Sequence, residues 1–186
     1  MEPALQQKLQ NILTSQAVET FDKERQMYVV KEFEEGKLKE DPLNRLKTFA
    51  KRKLKGLYPA LIKVFSPVHG PDPVITFLKE RPAERFTTVN LGAGLHAYKD
   101  VINVDGTGYS SVHVACDLSS LPFESSSVDS IISVAVLEHV PNPAVHVSEF
   151  MRVLKPEGEV LCFIPFMQPF HASPFDYQRY TEPGLR

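Results

Sequence analysis

The chain has 186 residues, 42% of them hydrophobic, and a formal net charge of −2. That apolar content is enough for a core, and the length suits one domain with an extension. The small net charge gives no reason to expect nucleic acid as a partner. No apolar run is long enough to cross a membrane, and the first residues lack the features of a signal peptide, so we expect a cytoplasmic protein.

The two cysteines, Cys116 and Cys162, lie far apart in the sequence. Both fall in predicted strands, and neither belongs to a Cys-x-x-Cys motif. We therefore expect a reduced, buried pair, as is usual in the cytosol, and no metal site.

Several helices are predicted within residues 1–70, which we interpret as a helical N-terminal extension. Apolar residues fall on one face of a helix over residues 3–18, and again from about residue 22 to residue 35. Residues 71–186 are predicted to form the principal domain.

A basic helix is predicted over residues 42–55, because Asp41-Pro42 is a start signal and no acidic residue occurs from Pro42 to Pro71. Its plainest interpretation is a helix that docks on the principal domain and exposes a basic face. The alternatives are weak contact with a membrane surface and recruitment of an anionic substrate.

The principal domain begins with a helix predicted from Asp72-Pro73 to about Glu80. A strand, a glycine loop, a second strand and an acid then follow in that order. The strands are Thr87–Leu91 and Val101–Val104.

This order is typical of a nucleoside-binding site on a parallel sheet. Glycine adopts positive φ and carries no Cβ, so Gly92 and Gly94 allow a sharp turn and the close approach of a ligand. Asp105 is placed to accept hydrogen bonds from ribose hydroxyls. Only 11 positions separate Gly94 from Asp105, so the crossover has room for about one helical turn at most.

Two more strands are predicted, Val112–Ala115 and Val128–Val136. The second is nearly all apolar and should be central and buried on both faces. The loop after it contains His139, a candidate general base. The alternative is that the His139 ring only braces this loop.

A helix is predicted after Asn142-Pro143, with one face toward the sheet that consists of Val147, Phe150, Met151 and Leu154. Residues 155–158 are predicted to form a turn into a fifth strand, Glu159–Ile164.

Residues 165–181 are rich in aromatic residues and proline, and they follow the carboxyl end of that strand. We interpret this segment as part of a substrate pocket. The candidate substrate-binding residues are Phe170, His171, Tyr177 and Arg179, and His171 is also a candidate catalytic residue. The alternative is a packed lid without chemistry.

Four motifs occur in a fixed order, within residues 86–106, 115–123, 128–140 and 152–160. In these motifs the chain resembles the class I S-adenosylmethionine-dependent methyltransferases, specifically the type 11 group, over about residues 86–186. The resemblance implies an α/β fold with a Rossmann-like, mostly parallel sheet and flanking helices. It also implies S-adenosyl-L-methionine as cofactor and direct transfer of its sulfonium methyl group to an oxygen, nitrogen or carbon atom of a small-molecule acceptor.

The resemblance also implies a set of cofactor-binding residues, namely Asn90, Gly92, Ala93, Gly94, Asp105, Asp117, Leu118, Ser133 and Val134. Asp117 would bond the adenine amino group, and the Leu118 N–H would bond a ring nitrogen. The alternative for Asp117 is a turn-capping role through Ser119 and Ser120. The glycine loop departs from the family pattern, because Asn90 stands where an acid is common and His96 stands near the place of the third glycine.

Two other functions remain open. The first is a methyltransferase-like protein that binds the cofactor or a partner without turnover. The second is an NAD-binding enzyme, which the placement of Asp105 allows.

Five strands can be read from the sequence, whereas the family's sheet usually has seven. We therefore expect the C-terminal strands to be missing, weak or no turnover by this chain, and an open sheet edge that favours association.

Overall fold

The computed structural model describes residues 1–30, 72–167, 170 and 175–185. The predicted basic helix over residues 42–55 lies outside the described residues, and so does His171. No helix among the described residues is long and apolar enough to cross a membrane. The described residues also contain no group of three His, Cys, Asp or Glu side chains arranged to hold a metal ion.

A seven-stranded sheet forms the framework, in the order β1-β2-β5-β4-β3-β6-β7. All neighbouring strands run parallel except β1 and β2, which form an antiparallel hairpin. The predicted Rossmann-like, mostly parallel sheet is therefore confirmed. The strands are β1 (Phe21–Asp22), β2 (Met27–Val29), β3 (Thr88–Leu91), β4 (Ile102–Asp105), β5 (Val114–Ala115), β6 (Val128–Val134) and β7 (Leu154–Phe163).

Four α-helices accompany the sheet in the described part of the chain: α1 (Pro3–Ile12), α2 (Ser15–Val18), α3 (Pro73–Lys79) and α4 (Pro143–Val153). Two short 3₁₀ turns follow β6 and the last loop, at Leu137–His139 and Glu182–Leu185. As expected from its length, the crossover from β3 to β4 contains turns and no helix.

The helix predicted from residue 22 is wrong over its described part, where the chain forms the β1–β2 hairpin. Asp22 accepts hydrogen bonds from the backbone N–H groups of Glu24 and Arg25 and so closes the turn. Tyr28 pairs with Val114 at the edge of the parallel sheet and is 1% exposed. Pairing with a distant strand overrides the helical spacing here, because local pattern is a weak prior against buried tertiary contacts.

The predicted helix over residues 3–18 is interrupted after Ile12. Leu13 is extended and pairs with Phe123, and the Thr14 N–H donates to the Pro122 carbonyl at 2.9 Å. Leu9 and Ile12 are buried in the same core as the inner residues of β3 and β4. The N-terminal helix is therefore an integral part of this core.

Helix α4 is rotated about its own axis relative to the prediction, so that a different face packs on the sheet. Val147 and Met151 are exposed, whereas Phe150 and Leu154 are buried as expected. Arg152 fixes this roll, because its guanidinium donates to the Leu121 and Phe123 carbonyls at 2.8 Å each.

The predicted turn at residues 155–158 is a bulge within β7. Val128 of β6 pairs with Leu154, and Ser130 pairs with Glu159, so four residues of β7 lie opposite one of β6. That one residue is Asp129, which accepts a 2.8 Å hydrogen bond from the Lys155 ammonium. The expectation that both cysteines are buried is half wrong: both are free, but Cys162 on this edge strand is exposed.

Candidate functional site

The carboxyl ends of β3, β4, β5 and β6 meet at one edge of the sheet because these strands are parallel neighbours. Ligands bind at this edge in open α/β sheets. The ends of these four strands and the loops that follow them contain the predicted cofactor-binding residues and His139.

The loop after β3 owes its shape to two glycines with positive φ, +71° at Gly92 and +53° at Gly94. A Cβ at Gly92 would lie 2.3 Å from Cγ2 of Val136, so this glycine allows the loop to pack against the segment after β6. A Cβ at Gly94 would meet nothing within 4 Å. The backbone at Gly94 is therefore open to the approach of another molecule.

Asp105 lies at the end of β4. Its carboxylate connects the glycine loop after β3 with the loop after β4. Its Oδ2 accepts from the Gly94 N–H and its Oδ1 accepts from the Thr107 N–H, both at 2.8 Å. Burial raises the pKa of this carboxyl, and the two backbone donors oppose that rise. A carboxylate oxygen can accept two hydrogen bonds, so the two carboxylate oxygens of Asp105 still have acceptor capacity for a further hydrogen bond.

The side chain of Asn90 stabilises the β3–β4 crossover by hydrogen bonds. It is 3% exposed, and its amide donates to the His96 carbonyl at 3.1 Å and to Oδ1 of Asn103 at 3.0 Å. The Ser111 hydroxyl adds a 2.9 Å bond to the Gly94 carbonyl. The Asn90 side chain is thus engaged within the protein, and its predicted contact with a cofactor stays a prediction.

Asp117 follows β5 and caps a turn, as the alternative interpretation anticipated. Its Oδ1 accepts from the backbone N–H and the hydroxyl of Ser119, at 3.0 and 2.7 Å. The adenine contacts of Asp117 and Leu118 stay predictions. Cys116 lies between the two acids, and burial together with Asp117 and Asp105 raises the pKa of its thiol to about 12.

The end of β6 contains an unusual backbone conformation. Ser133 is fully buried, and Ala135 adopts a φ of +54°, a value that side-chain-bearing residues rarely take. The Ala135 N–H donates to the Phe163 carbonyl at 2.9 Å. This turn directs Val136 against Gly92 and starts the 3₁₀ turn that contains His139.

His139 braces two segments against each other. Its Nδ1 lies 2.5 Å from the Phe175 carbonyl, which accepts only, so Nδ1 bears the proton. Its side chain is 16% exposed, and Nε2 lies 3.8 Å from Oε1 of Glu138. This is the bracing role weighed from the sequence, and the role of His139 in catalysis stays a prediction.

Residues 175–180, called the strap below, lie against the turn after β6. The Tyr177 N–H donates to the Glu138 carbonyl at 2.8 Å, and the Gln178 amide donates to the Leu137 and Val140 carbonyls at 3.1 and 3.2 Å. The sequence did not reveal Gln178 as the residue that fastens the strap.

The candidate substrate residues divide into exposed and paired groups. Phe170 is 78% exposed. Tyr177 is half-exposed, and the centroid of its ring lies 5.6 Å from the centroid of the Phe175 ring. Both guanidinium nitrogens of Arg179 bond the Asp176 carboxylate, which raises the pKa of Arg179. His171 lies outside the described residues. The role of each in substrate binding stays a prediction.

Glu138 is a residue of this region that the sequence analysis passed over. It is 0% exposed, and neither of its carboxylate oxygens has a hydrogen-bond partner. Nothing in the spacing of the residues around Glu138 indicates that its side chain is buried.

A groove of about 620 Å³ opens elsewhere, beside the N-terminus of α1 and the β3–β4 crossover. Tyr98, Asn103 and His113 are among its lining residues, and none of the predicted site residues lines it.

Comparison with known proteins gives one family match. The family model described as "Methyltransferase domain" matches residues 73–162, which include β3 to β6 and most of β7. Comparison of the sequence with curated proteins gives no match.

Several solved structures are similar to this chain. Phosphoethanolamine N-methyltransferase 2 of Haemonchus contortus, with phosphomonomethylethanolamine and S-adenosylhomocysteine, is 20% identical with a TM-score of 0.45, over 73% of this chain and 41% of that chain. A candidate S-adenosyl-L-methionine-dependent methyltransferase of Methanococcus maripaludis is 16% identical with a TM-score of 0.42, over 69% of this chain and 66% of that chain.

A third structure is the Haloferax volcanii complex between the Trm112 methyltransferase activator and a candidate methyltransferase. It is 24% identical with a TM-score of 0.37, over 63% of this chain and 55% of that chain. The chain spans 43–55% of the first solved proteins that it matches.

Proposed function

Because residues 73–162 belong to the type 11 group of class I methyltransferases, we propose that this protein binds S-adenosyl-L-methionine at the carboxyl edge of β3 to β5. We further propose that it transfers the methyl group to a small-molecule acceptor. The observation that carries the proposal is the junction at Asp105, where backbone N–H groups of Gly94 and Thr107 orient a half-buried carboxylate beside an open glycine.

The residues present fit a nucleoside cofactor. The open space at Gly94 lets a ligand reach the backbone, and the remaining acceptor capacity of Asp105 suits ribose hydroxyls. Gly92, Ala93, Asp117 and Leu118 would complete the adenosine side.

The cofactor, when bound, supplies an activated methyl group on a sulfonium. This chain's residues then have three tasks: to bind, to orient and to exclude water. Ser133 and Val134 at the end of β6 would form the floor beneath the reacting centre. The strap, fastened to residues 137–140, would form a wall on the acceptor side, and Tyr177 would present an aromatic surface to the acceptor.

His139 has a supporting role in this proposal. Its proton at Nδ1 is engaged with the Phe175 carbonyl, so its ring fixes the strap. His171 and Arg179 remain candidates on the acceptor side, with Arg179 acting through its pair with Asp176.

Transfer of a labelled methyl group tests this proposal. The protein is incubated with S-adenosylmethionine labelled on the methyl group and with a panel of amine, hydroxyl and carbon acceptors. We expect product with at least one acceptor class and its loss in Asp105→Asn, while Glu124→Gln, which removes an exposed carboxylate, leaves transfer unchanged.

Affinity for S-adenosylhomocysteine without transfer to any acceptor would support the alternative of binding without turnover. No affinity for S-adenosylhomocysteine in the folded protein would contradict the proposal. Affinity for NAD in its place would favour the NAD-binding alternative.

A further inference from the structure

Two buried polar groups near the strap have no hydrogen-bond partner, the Glu138 carboxylate and the Tyr180 hydroxyl. The Ser133 hydroxyl beside them has only the neighbouring Cys162 thiol, a weak partner; burial raises the pKa of that thiol and the contact with Ser133 opposes the rise. Ser133 and Glu138 are both 0% exposed. Buried polar groups in folded proteins are nearly always paired, so orphan groups that share one region require an explanation.

The three groups come from adjacent elements. Ser133 lies next to the end of β6, opposite Cys162, Glu138 lies in the following turn, and Tyr180 ends the strap that covers this turn. Burial is the main cause that raises the pKa of Tyr180, and the neighbouring Cys162 and Glu138 add to it. The Tyr180 hydroxyl therefore keeps its proton and remains a hydrogen-bond donor.

Glu138 receives no hydrogen bond from the cations around it. Nδ1 of His139 is engaged with the Phe175 carbonyl, and its Nε2 lies 3.8 Å from Oε1 of Glu138, beyond hydrogen-bond distance. Arg179 is engaged with Asp176. A buried carboxylate in this state is expensive, since it has left water without gaining a donor.

Strand β3 supplies no competing acid. Its polar side chain near the glycine loop is Asn90, and the Asn90 amide is engaged with Asn103 and the His96 carbonyl. Glu138 is therefore the buried acid without a partner in the described part of this edge, next to the loop that packs against Val136.

We propose that Glu138, Ser133 and Tyr180 form a subsite for an ammonium group of a ligand bound at this edge. The carboxylate accepts the N–H bonds, and the two hydroxyls donate to an oxygen of the same ligand. The inference rests on the proposed function. The ammonium belongs either to the amino-acid end of the cofactor or to an amine acceptor, and displacement of the strap admits it.

The test compares wild type with Glu138→Gln, which keeps the shape and removes the charge. Glu124→Gln serves as the matched control, because that glutamate is exposed. Calorimetry is run with S-adenosylhomocysteine and with 5′-methylthioadenosine, which lacks the amino-acid end. A third titration adds 2-phenylethylamine to protein saturated with S-adenosylhomocysteine.

If the ammonium is the cofactor's, Glu138→Gln weakens S-adenosylhomocysteine on the order of tenfold to a hundredfold and leaves 5′-methylthioadenosine unchanged. If it is the acceptor's, both nucleosides bind as in wild type and binding of 2-phenylethylamine is lost. In either case the unliganded variant melts higher than wild type, because it no longer buries an unpaired charge.

Equal affinities of wild type and Glu138→Gln for all three probes overturn the inference, and so does an equal loss for both nucleosides. Failure of wild type to bind either nucleoside contradicts the proposed function instead.

Discussion

Gly92→Ala tests how the glycine loop is held. The added Cβ would lie 2.3 Å from Cγ2 of Val136, and the backbone at this position has a φ of +71°. Gly94→Ala is the matched control two residues away, because its φ of +53° imposes the same kind of backbone strain while its Cβ meets nothing within 4 Å.

The two variants differ by the clash alone. A left-handed conformation costs a side-chain-bearing residue about 1–2 kcal/mol, and the lower entropy of the unfolded chain offsets about 0.4–1 kcal/mol of it. Overpacking against Val136 adds about 1–3 kcal/mol. We therefore expect Gly94→Ala to lower the free energy of unfolding by about 1 kcal/mol, and Gly92→Ala by roughly 2–4 kcal/mol.

Urea unfolding followed by circular dichroism measures both changes. Val136→Ala, combined with Gly92→Ala in a double-mutant cycle, should return part of the lost stability, because it removes the methyl group that the new Cβ meets. Gly94→Ala, by contrast, should lose only about 1 kcal/mol of stability and should lose affinity for S-adenosylhomocysteine. Equal stability of the two glycine variants would refute this reasoning, and so would a cycle without coupling.

Three further predictions concern titratable groups on the sheet strands and in the loops beside them. Asp105→Asn should weaken the binding of S-adenosylhomocysteine by about 1–3 kcal/mol, measured by calorimetry, since hydrogen bonds from the ribose hydroxyls to a charged acceptor are lost. Wild-type affinity of this variant would mean that β4 does not contribute this contact. Burial also raises the pKa of Cys162, but that residue is exposed, whereas Cys116 is buried and its pKa is raised to about 12. Iodoacetamide at alkaline pH should therefore label Cys162 and spare Cys116 in the folded protein; mass spectrometry that finds both modified at the same rate would contradict the burial of Cys116. Burial lowers the pKa of His113, so the unfolded chain binds the proton more readily and stability should fall as the pH drops below about 6.5. His113→Gln should flatten that part of the urea-midpoint profile, and an unchanged profile would refute the assignment.

Strands β3 and β4 could be predicted from the sequence because each is a short apolar run that ends at a glycine or an acid. Gly92 and Asp105 mark the ends of β3 and β4 within one or two residues. The short distance between Gly94 and Asp105 also predicted correctly that the crossover lacks room for a full helix.

The N-terminal hairpin could not be predicted in the same way. Met27 has helical spacing to the apolar residues after it, and only the exposed edge of β5 favours a strand at Tyr28. The roll of α4 was missed for a similar reason. It depends on the contacts of Arg152 with the carbonyls of Leu121 and Phe123, which lie about 30 residues earlier in the sequence.

The parts of the candidate site that depend on glycines and on an acid after a strand could be predicted from the sequence. The parts that depend on which side chains become buried were missed. Glycines and an acid after successive strands indicate a binding edge without further information. The orphan carboxylate of Glu138 and the fastening role of Gln178 arise only when the strap folds onto the turn after β6. Neither is visible in the spacing of the sequence.

The central claim is that the edge around Gly94 and Asp105 holds S-adenosylmethionine. Its most direct test is calorimetric titration of the folded protein with S-adenosylhomocysteine and, in parallel, with NAD. The account predicts saturable binding of S-adenosylhomocysteine, a matching rise in melting temperature by mass action, and no binding of NAD. Binding of NAD, or no heat and no thermal shift with millimolar S-adenosylhomocysteine, would contradict it.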